Sequence, residues 1–214
     1  MPRSFYREHG KRALDLTLSF FALALLWPVL ALVAIAIKCD SRGPVFYRQE
    51  RIGRDGKPFA LWKFRSMGVG AEHQGAGALV ERNDARITRV GAVIRKLSLD
   101  EIPQLFNVIS GDMSIVGPRP GLRYQAEAYD EVQRRRLLVR PGATGWAQVN
   151  GRNSIEWPRR IELDLEYIDR MSLLLDLRVM LMTIPSVLKG GDMIAGRDYW
   201  KEKAKEREAA QRGE

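Results

Sequence analysis

Leu16-Thr17-Leu18-Ser19-Phe20-Phe21-Ala22-Leu23-Ala24-Leu25-Leu26-Trp27-Pro28-Val29-Leu30-Ala31-Leu32-Val33-Ala34-Ile35-Ala36-Ile37 runs for 22 residues without a charge. As one helix it reaches about 33 Å, close to the roughly 30 Å hydrocarbon core of a bilayer, so a straight span is one reading. Trp27-Pro28, near the middle, argues against it, because proline deletes a backbone hydrogen bond and kinks a helix. Leu16–Trp27 and Pro28–Ile37 are each about 15–18 Å long, too short to cross alone. Arg3, Arg7, Lys11 and Arg12 precede the stretch, and Lys38, Arg42, Arg48, Arg51 and Arg54 follow it. Basic flanks favour the cytoplasm, which one straight span cannot give to both ends. A helix that dips in, bends at Pro28 and returns to the same face can. Ser19 or a neighbouring helix would serve the backbone groups freed at the bend. Ala34-Ile35-Ala36 does look like a signal-peptide cleavage site, but the apolar run is too long for a usual signal core. The re-entrant reading is preferred.

Outward from this stretch, the 214 residues suffice for one core of ordinary size. They divide into residues 1–38 as a membrane helix, 39–190 as a cytoplasmic domain and 191–214 as a charged tail. A formal net charge of +9 favours an anionic partner: nucleic acid, acidic lipid head groups or a phosphorylated substrate. Cys39 is the only cysteine, and His9 and His73 are the only histidines. Internal disulfides and cysteine- or histidine-rich metal sites are thereby excluded. A metal here would be a hard cation on oxygen ligands, magnesium first.

Pro44–Met67 predicts a β-hairpin, with Val45-Phe46-Tyr47 and Phe59-Ala60-Leu61-Trp62 flanking an Asp55-Gly56 turn. Gly68–Asp84 is glycine-rich and polar, the composition of a loop beside a site. Short helices are expected over Thr88–Lys96 and Asp100–Ser110, and another over Tyr124–Leu138. A long one is expected from Ser154 to Val187, bent near Pro185 and apolar enough at Leu173–Leu175 and Val179–Met182 to lie in a membrane interface or in a core. The fold class is α+β, mostly helical, with a small hairpin, a re-entrant membrane helix and interfacial amphipathic helices.

Chemistry concentrates at Ser98-Leu99-Asp100-Glu101-Ile102-Pro103-Gln104-Leu105. Ser98 and Glu101 fit a helix capping box, in which Glu101 only ties down a helix start. Pro103 weakens that reading, since it would be the fifth helical residue and forfeit a hydrogen bond. A start at Asp100 puts Pro103 in the first turn and both carboxylates at a helix N-terminus, a favourable place for phosphate. Arg95-Lys96, Gly111-Asp112-Met113-Ser114, Gly117-Pro118-Arg119-Pro120 and the block Arg140–Asn153 accompany them. Arginines at rigid glycine–proline turns suit phosphate, which their forked donors bind in pairs.

With Lys11-Arg12-x-x-Asp15 and Lys63-Phe64-Arg65-Ser66-Met67, these blocks resemble the bacterial sugar transferases, small monotopic polyprenyl-phosphate phosphoglycosyl transferases. The match runs from about Lys11 to Leu188. The resemblance implies a catalytic domain on the cytoplasmic face of the bacterial inner membrane. There Asp100 would attack the sugar-side phosphate of a UDP-sugar, releasing UMP, and a polyprenyl phosphate would then take the phosphosugar. Glu101 would assist, as a base or by positioning a metal. Mg2+ would lean on Asp100, and Arg95, Arg119, Lys63 and Arg65 would hold phosphate. Arg140, Gln148, Asn150, Arg152 and Asn153 would contact nucleotide or sugar. The partners are then the UDP-sugar, polyprenyl phosphate and membrane lipid, with no nucleic acid. The family often has a histidine where this chain has Leu137, so no role passes to that position. A phosphohydrolase using a phospho-aspartate is the rival enzyme, but Leu99-Asp100-Glu101 lacks the Asp-x-Asp pair of the haloacid dehalogenase type. A non-enzymatic basic membrane-binding module leaves the carboxylate pair unexplained.

Overall fold

The computed structural model describes residues 5–71, 84–151, 155–188 and Tyr199. After a π-helical turn, Tyr6–Gly10, helix α1 runs unbroken from Lys11 to Asp40 with Pro28 inside it. By length and composition α1 could cross a membrane. Its middle is bare: Phe20, Phe21, Leu25, Trp27, Leu32 and Ile35 are all exposed. Its two ends are not. At the first, Arg12 donates to the carbonyls of Val108 and Ile109, and Asp15 accepts from Ser114 Oγ and the Ile115 amide. Lys11 lies 2.6 Å from buried Asp176, which Tyr6 and Tyr167 also contact. At the other end Val33 and Ile37 pack against Phe64 and Ile94, while Asp40 accepts from the Val90 amide.

The hairpin forms as expected, with longer strands: β1 (Phe46–Ile52) pairs antiparallel with β2 (Pro58–Phe64). Asp55 and Gly56, at φ 58° and 74°, supply the two left-handed residues that a tight hairpin turn demands. Helix α2 (Arg89–Lys96) is capped by Thr88, whose Oγ1 accepts from the Gly91 amide. Helix α3 covers Gln104–Ser110 and ends at Gly111, φ 96°.

A second strand pair was not foreseen. β3 (Ser114–Val116) and β4 (Gly142–Thr144) lie parallel. A Cβ on Gly142 would sit 2.1 Å from the Gly117 nitrogen, so two of the glycine–proline blocks owe their glycines partly to each other.

Two expected helices are broken. Tyr124–Leu138 divides into α4 (Arg123–Glu127), α5 (Glu131–Arg134) and a 3-10 stretch, Arg135–Leu138. Asp130 restarts the chain as an N-cap, accepting from the Gln133 amide while Gln133 bonds back to its own. After the short α6 (Trp146–Val149), the long C-terminal helix is two: α7 (Trp157–Arg170) and α8 (Leu173–Leu188), with Pro185 inside α8. Met171 turns to ψ 119° and Ser172 caps α8 through the Leu175 amide. Of the expected loop Gly68–Asp84, residues 72–83 lie outside the described residues, as do Ser154 and the tail.

Val116, Tyr167, Ile168, Met171 and Val179 form a core cluster beneath α7 and α8. On α8 the opposite stripe, Leu174, Leu177, Leu181 and Ile184, is exposed. The helix is thus apolar on both faces, and its one acidic residue, Asp176, is turned inward.

Candidate active site

Asp100 and Glu101 stand in a 3-10 turn, Leu99–Glu101, between α2 and α3. Ser98 before them is left-handed, φ 55°, and its side chain caps nothing. Glu101 turns instead to Lys63 Nζ at 3.0 Å and to Arg119, whose two terminal nitrogens reach its carboxylate at 2.5 and 3.2 Å. The capping box is therefore not formed. Nor does a helix start at Asp100: α3 begins at Gln104 with Pro103 as its cap. Cations rather than a helix N-terminus surround the pair.

Each cation arrives from a different element. Lys63 comes from β2, on the strand face shared with Leu61, which packs against Val108 and Met113. Arg95 comes from the last turn of α2 and lies 3.5 Å from Ser66 Oγ. Arg119 follows β3, and buried Arg136 holds its carbonyl while pairing with Asp164. The carboxylates respond in opposite directions. Asp100 is 6% exposed, and burial, with Glu101 adjacent, pushes its carboxyl above the usual range despite Lys63, Arg95 and Arg119. Burial acts on Glu101 in the same sense, but Arg119 and Lys63 outweigh it and hold that carboxyl well below the usual range. One acid is paired; the other is buried in a cationic shell with its charge poorly solvated.

The other expected residues divide. Arg65 is not at the pair: its guanidinium donates to the carbonyls of Ser41 and Arg42 just past α1. Arg140 donates to the Gly111 carbonyl at the end of α3. Gln148 and Asn150 bond within their own segment, to the carbonyls of Ala143 and Trp146. Arg152 and Asn153 lie outside the described residues. Arg51 was missed. It donates to the Pro120 carbonyl beside Arg119, and burial, with Arg119 nearby, lowers its pKa to about 10. Strand alternation was the available signal, since Arg51 falls on the strand face of Tyr47, which pairs with Lys63.

No group of three or more histidine, cysteine or acidic side chains gathers among the described residues. A magnesium ion nevertheless fits a site with one buried, unpaired carboxylate, because it commonly takes one or two carboxylates and completes its shell from substrate phosphate and water. Asp100 would hold it.

The sequence pattern described as bacterial sugar transferase matches residues 6–190. A Bacillus subtilis protein called uncharacterized sugar transferase EpsL is 45% identical over 178 residues, 83% of this chain and 87% of its own. A Xanthomonas campestris UDP-glucose:undecaprenyl-phosphate glucose-1-phosphate transferase is 44% identical over 87% of this chain, which spans only 40% of that protein. An Aeromonas hydrophila UDP-N-acetylgalactosamine-undecaprenyl-phosphate N-acetylgalactosaminephosphotransferase is 41% identical over 84% of this chain and 44% of its own.

Proposed function

This chain belongs to the bacterial sugar transferase family, and from that premise we propose that it moves a phosphosugar from a UDP-sugar to polyprenyl phosphate through Asp100. The observation that carries this is a carboxylate 6% exposed among Lys63, Arg95 and Arg119, an environment built for a phosphate anion. An Asp100 oxygen attacks the phosphorus bearing the sugar; the bond to the uridylyl oxygen breaks and UMP leaves. A polyprenyl phosphate oxygen then attacks the same phosphorus, breaking the acyl phosphate and restoring the carboxylate. Splitting the transfer replaces one difficult step by two easier ones. Lys63, Arg95 and Arg119 neutralise charge on the phosphates, and Glu101 fixes the orientation of Lys63 and Arg119. Magnesium, when bound, supplies further neutralisation of the diphosphate. The Xanthomonas campestris and Aeromonas hydrophila relatives are named for different sugars, so the proposal stops at the UDP-sugar class.

Both ends of α1 are tied to the same domain, through Asp15 and Ser114 at one end and Asp40 and Val90 at the other. That arrangement supports a re-entrant helix with both termini on the cytoplasmic face of the inner membrane, where the first membrane step of glycoconjugate synthesis takes place. Incubating the chain with each of a panel of UDP-sugars, without lipid, tests the reading. One sugar should release UMP and leave a phosphosugar mass on Asp100, discharged by polyprenyl phosphate. Release of free sugar phosphate instead would make the chain a hydrolase.

A further inference from the structure

The hairpin has two faces, and only one serves the carboxylates. Alternation puts Tyr47, Gln49, Arg51, Leu61 and Lys63 together, and Phe46, Arg48, Trp62 and Phe64 on the reverse. On that reverse face Phe46 stacks on Phe64 at 5.2 Å and meets Trp62 edge-on at 5.6 Å. Phe106 of α3 extends the row, 6.3 Å from Trp62. Phe64 is buried against Val33 and Ile37 of α1, so the row abuts the end of α1 whose neighbouring residues Leu32 and Ile35 are exposed. Phe46 and Phe106 remain 37% and 41% exposed. The Arg48 guanidinium lies 3.9 Å from the centre of the Trp62 ring, and no carboxylate pairs with it among the described residues.

We propose that Phe46, Arg48, Trp62 and Phe106 form a second membrane contact, seated in the headgroup layer of the bilayer that holds α1, with Arg48 on lipid phosphate. Aromatic rings with an apolar body and an arginine with a charged tip are the side chains that settle at this boundary. Continuity with α1 selects lipid over a protein as the occupant. The consequence is geometric: with one face in the headgroups, the opposite face holds Lys63 and Arg51 at a fixed height above the membrane, where a lipid-linked phosphate arrives. The inference rests on α1 lying in the bilayer and not on the transfer chemistry. Adduct formation on Asp100 therefore tests the chemistry separately.

Hydroxyl-radical footprinting of the full chain in phosphatidylglycerol-containing nanodiscs tests it, each rate being divided by that of the urea-unfolded chain. Tyr124, 43% exposed and off the hairpin, is the control. Phe46 and Phe106 should oxidise about 3-fold or more slowly than Tyr124, because lipid covers them. Equal normalised rates would overturn the contact. Arg48→Glu should bring Phe46 up towards the Tyr124 rate while the UDP-sugar adduct still forms. Retained protection in that variant would overturn the role of Arg48.

Discussion

Arg119 holds Glu101 through both terminal nitrogens, at 2.5 and 3.2 Å, while Lys63 takes the same carboxylate from the other side at 3.0 Å. This keeps Glu101 ionised at neutral pH and makes it a positioning residue. Held below its ordinary range, it adds stability that is present above the unfolded carboxylate pKa of about 4.3 and lost as pH falls through the folded value. Glu101→Gln should flatten that acid limb in pH-dependent melting. At pH 7 the three groups are partly exposed, so its Tm should fall by no more than about 4 °C. Turnover should fall about 10-fold or more as Lys63 and Arg119 lose their orientation. Full turnover in the folded variant would remove the positioning role.

Asp100 is shifted the other way, so its ionised form is a liability to the fold. A raised pKa contributes stability below the unfolded value and loses it as pH rises through the folded one. Asp100→Asn should therefore melt higher than the parent at pH 7, with the difference closing in acid. Turnover should drop by roughly 10^3-fold or more, since an amide cannot replace the attacking carboxylate. A variant that melts lower would contradict the burial argument.

The acid limb of kcat/KM should reflect Asp100 ionising in the free enzyme. Its midpoint is expected above the ordinary aspartate value of about 3.9, because burial disfavours the anion. A midpoint at or below that value would argue against Asp100 as the group that must be ionised.

Ser98 is left-handed, φ 55°, in the residue pair leading into Asp100. Ser98→Gly should leave the turn intact, whereas Ser98→Val should cost about 1–2 kcal/mol, the penalty of that region for a residue with a bulky Cβ. Chemical denaturation reads this directly. Equal stabilities would mean the turn relaxes.

Arg65, expected at the phosphates, instead ties the end of α1 to the hairpin through Ser41 and Arg42. Arg65→Ala should lower Tm by roughly 4–10 °C, since buried hydrogen bonds from a charged donor are worth about 1.5–3 kcal/mol. The KM for UDP-sugar in the folded fraction should stay put. A KM rise with unchanged Tm would return Arg65 to the substrate.

Legibility followed the range of the forces involved. The hairpin and its turn were readable because Asp55-Gly56 and the flanking strands are local signals. So was the start of α2, where Thr88 caps its own helix. The break at Ser172 was equally local but hidden by the apolar continuity of Leu163 to Val187. The β3–β4 pair was out of reach: Ser114 meets Gly142 across a long connection that no periodicity records. At the site, the carboxylates, Arg95 and Arg119 were legible as residue types near glycine–proline turns, whereas Lys63, inside a strand, came only with the family resemblance. What could not be read was allegiance. Arg65 and Arg140 have the same guanidinium as Arg119, and only three dimensions showed that they serve backbone carbonyls.

The tie between Lys11 and Asp176 joins residues 165 positions apart. On the ribosome, the apolar helix emerges long before the aspartate that will secure its first turn. The first turn of α1 is therefore made while its anchor is still unmade, and the domain closes on it afterwards. Contacts so distant in sequence form late and slowly, so this tie is made near the completion of the fold. A chain lacking Asp176 would keep its first turn untethered from α8, and its fault would be one of assembly before it was one of chemistry.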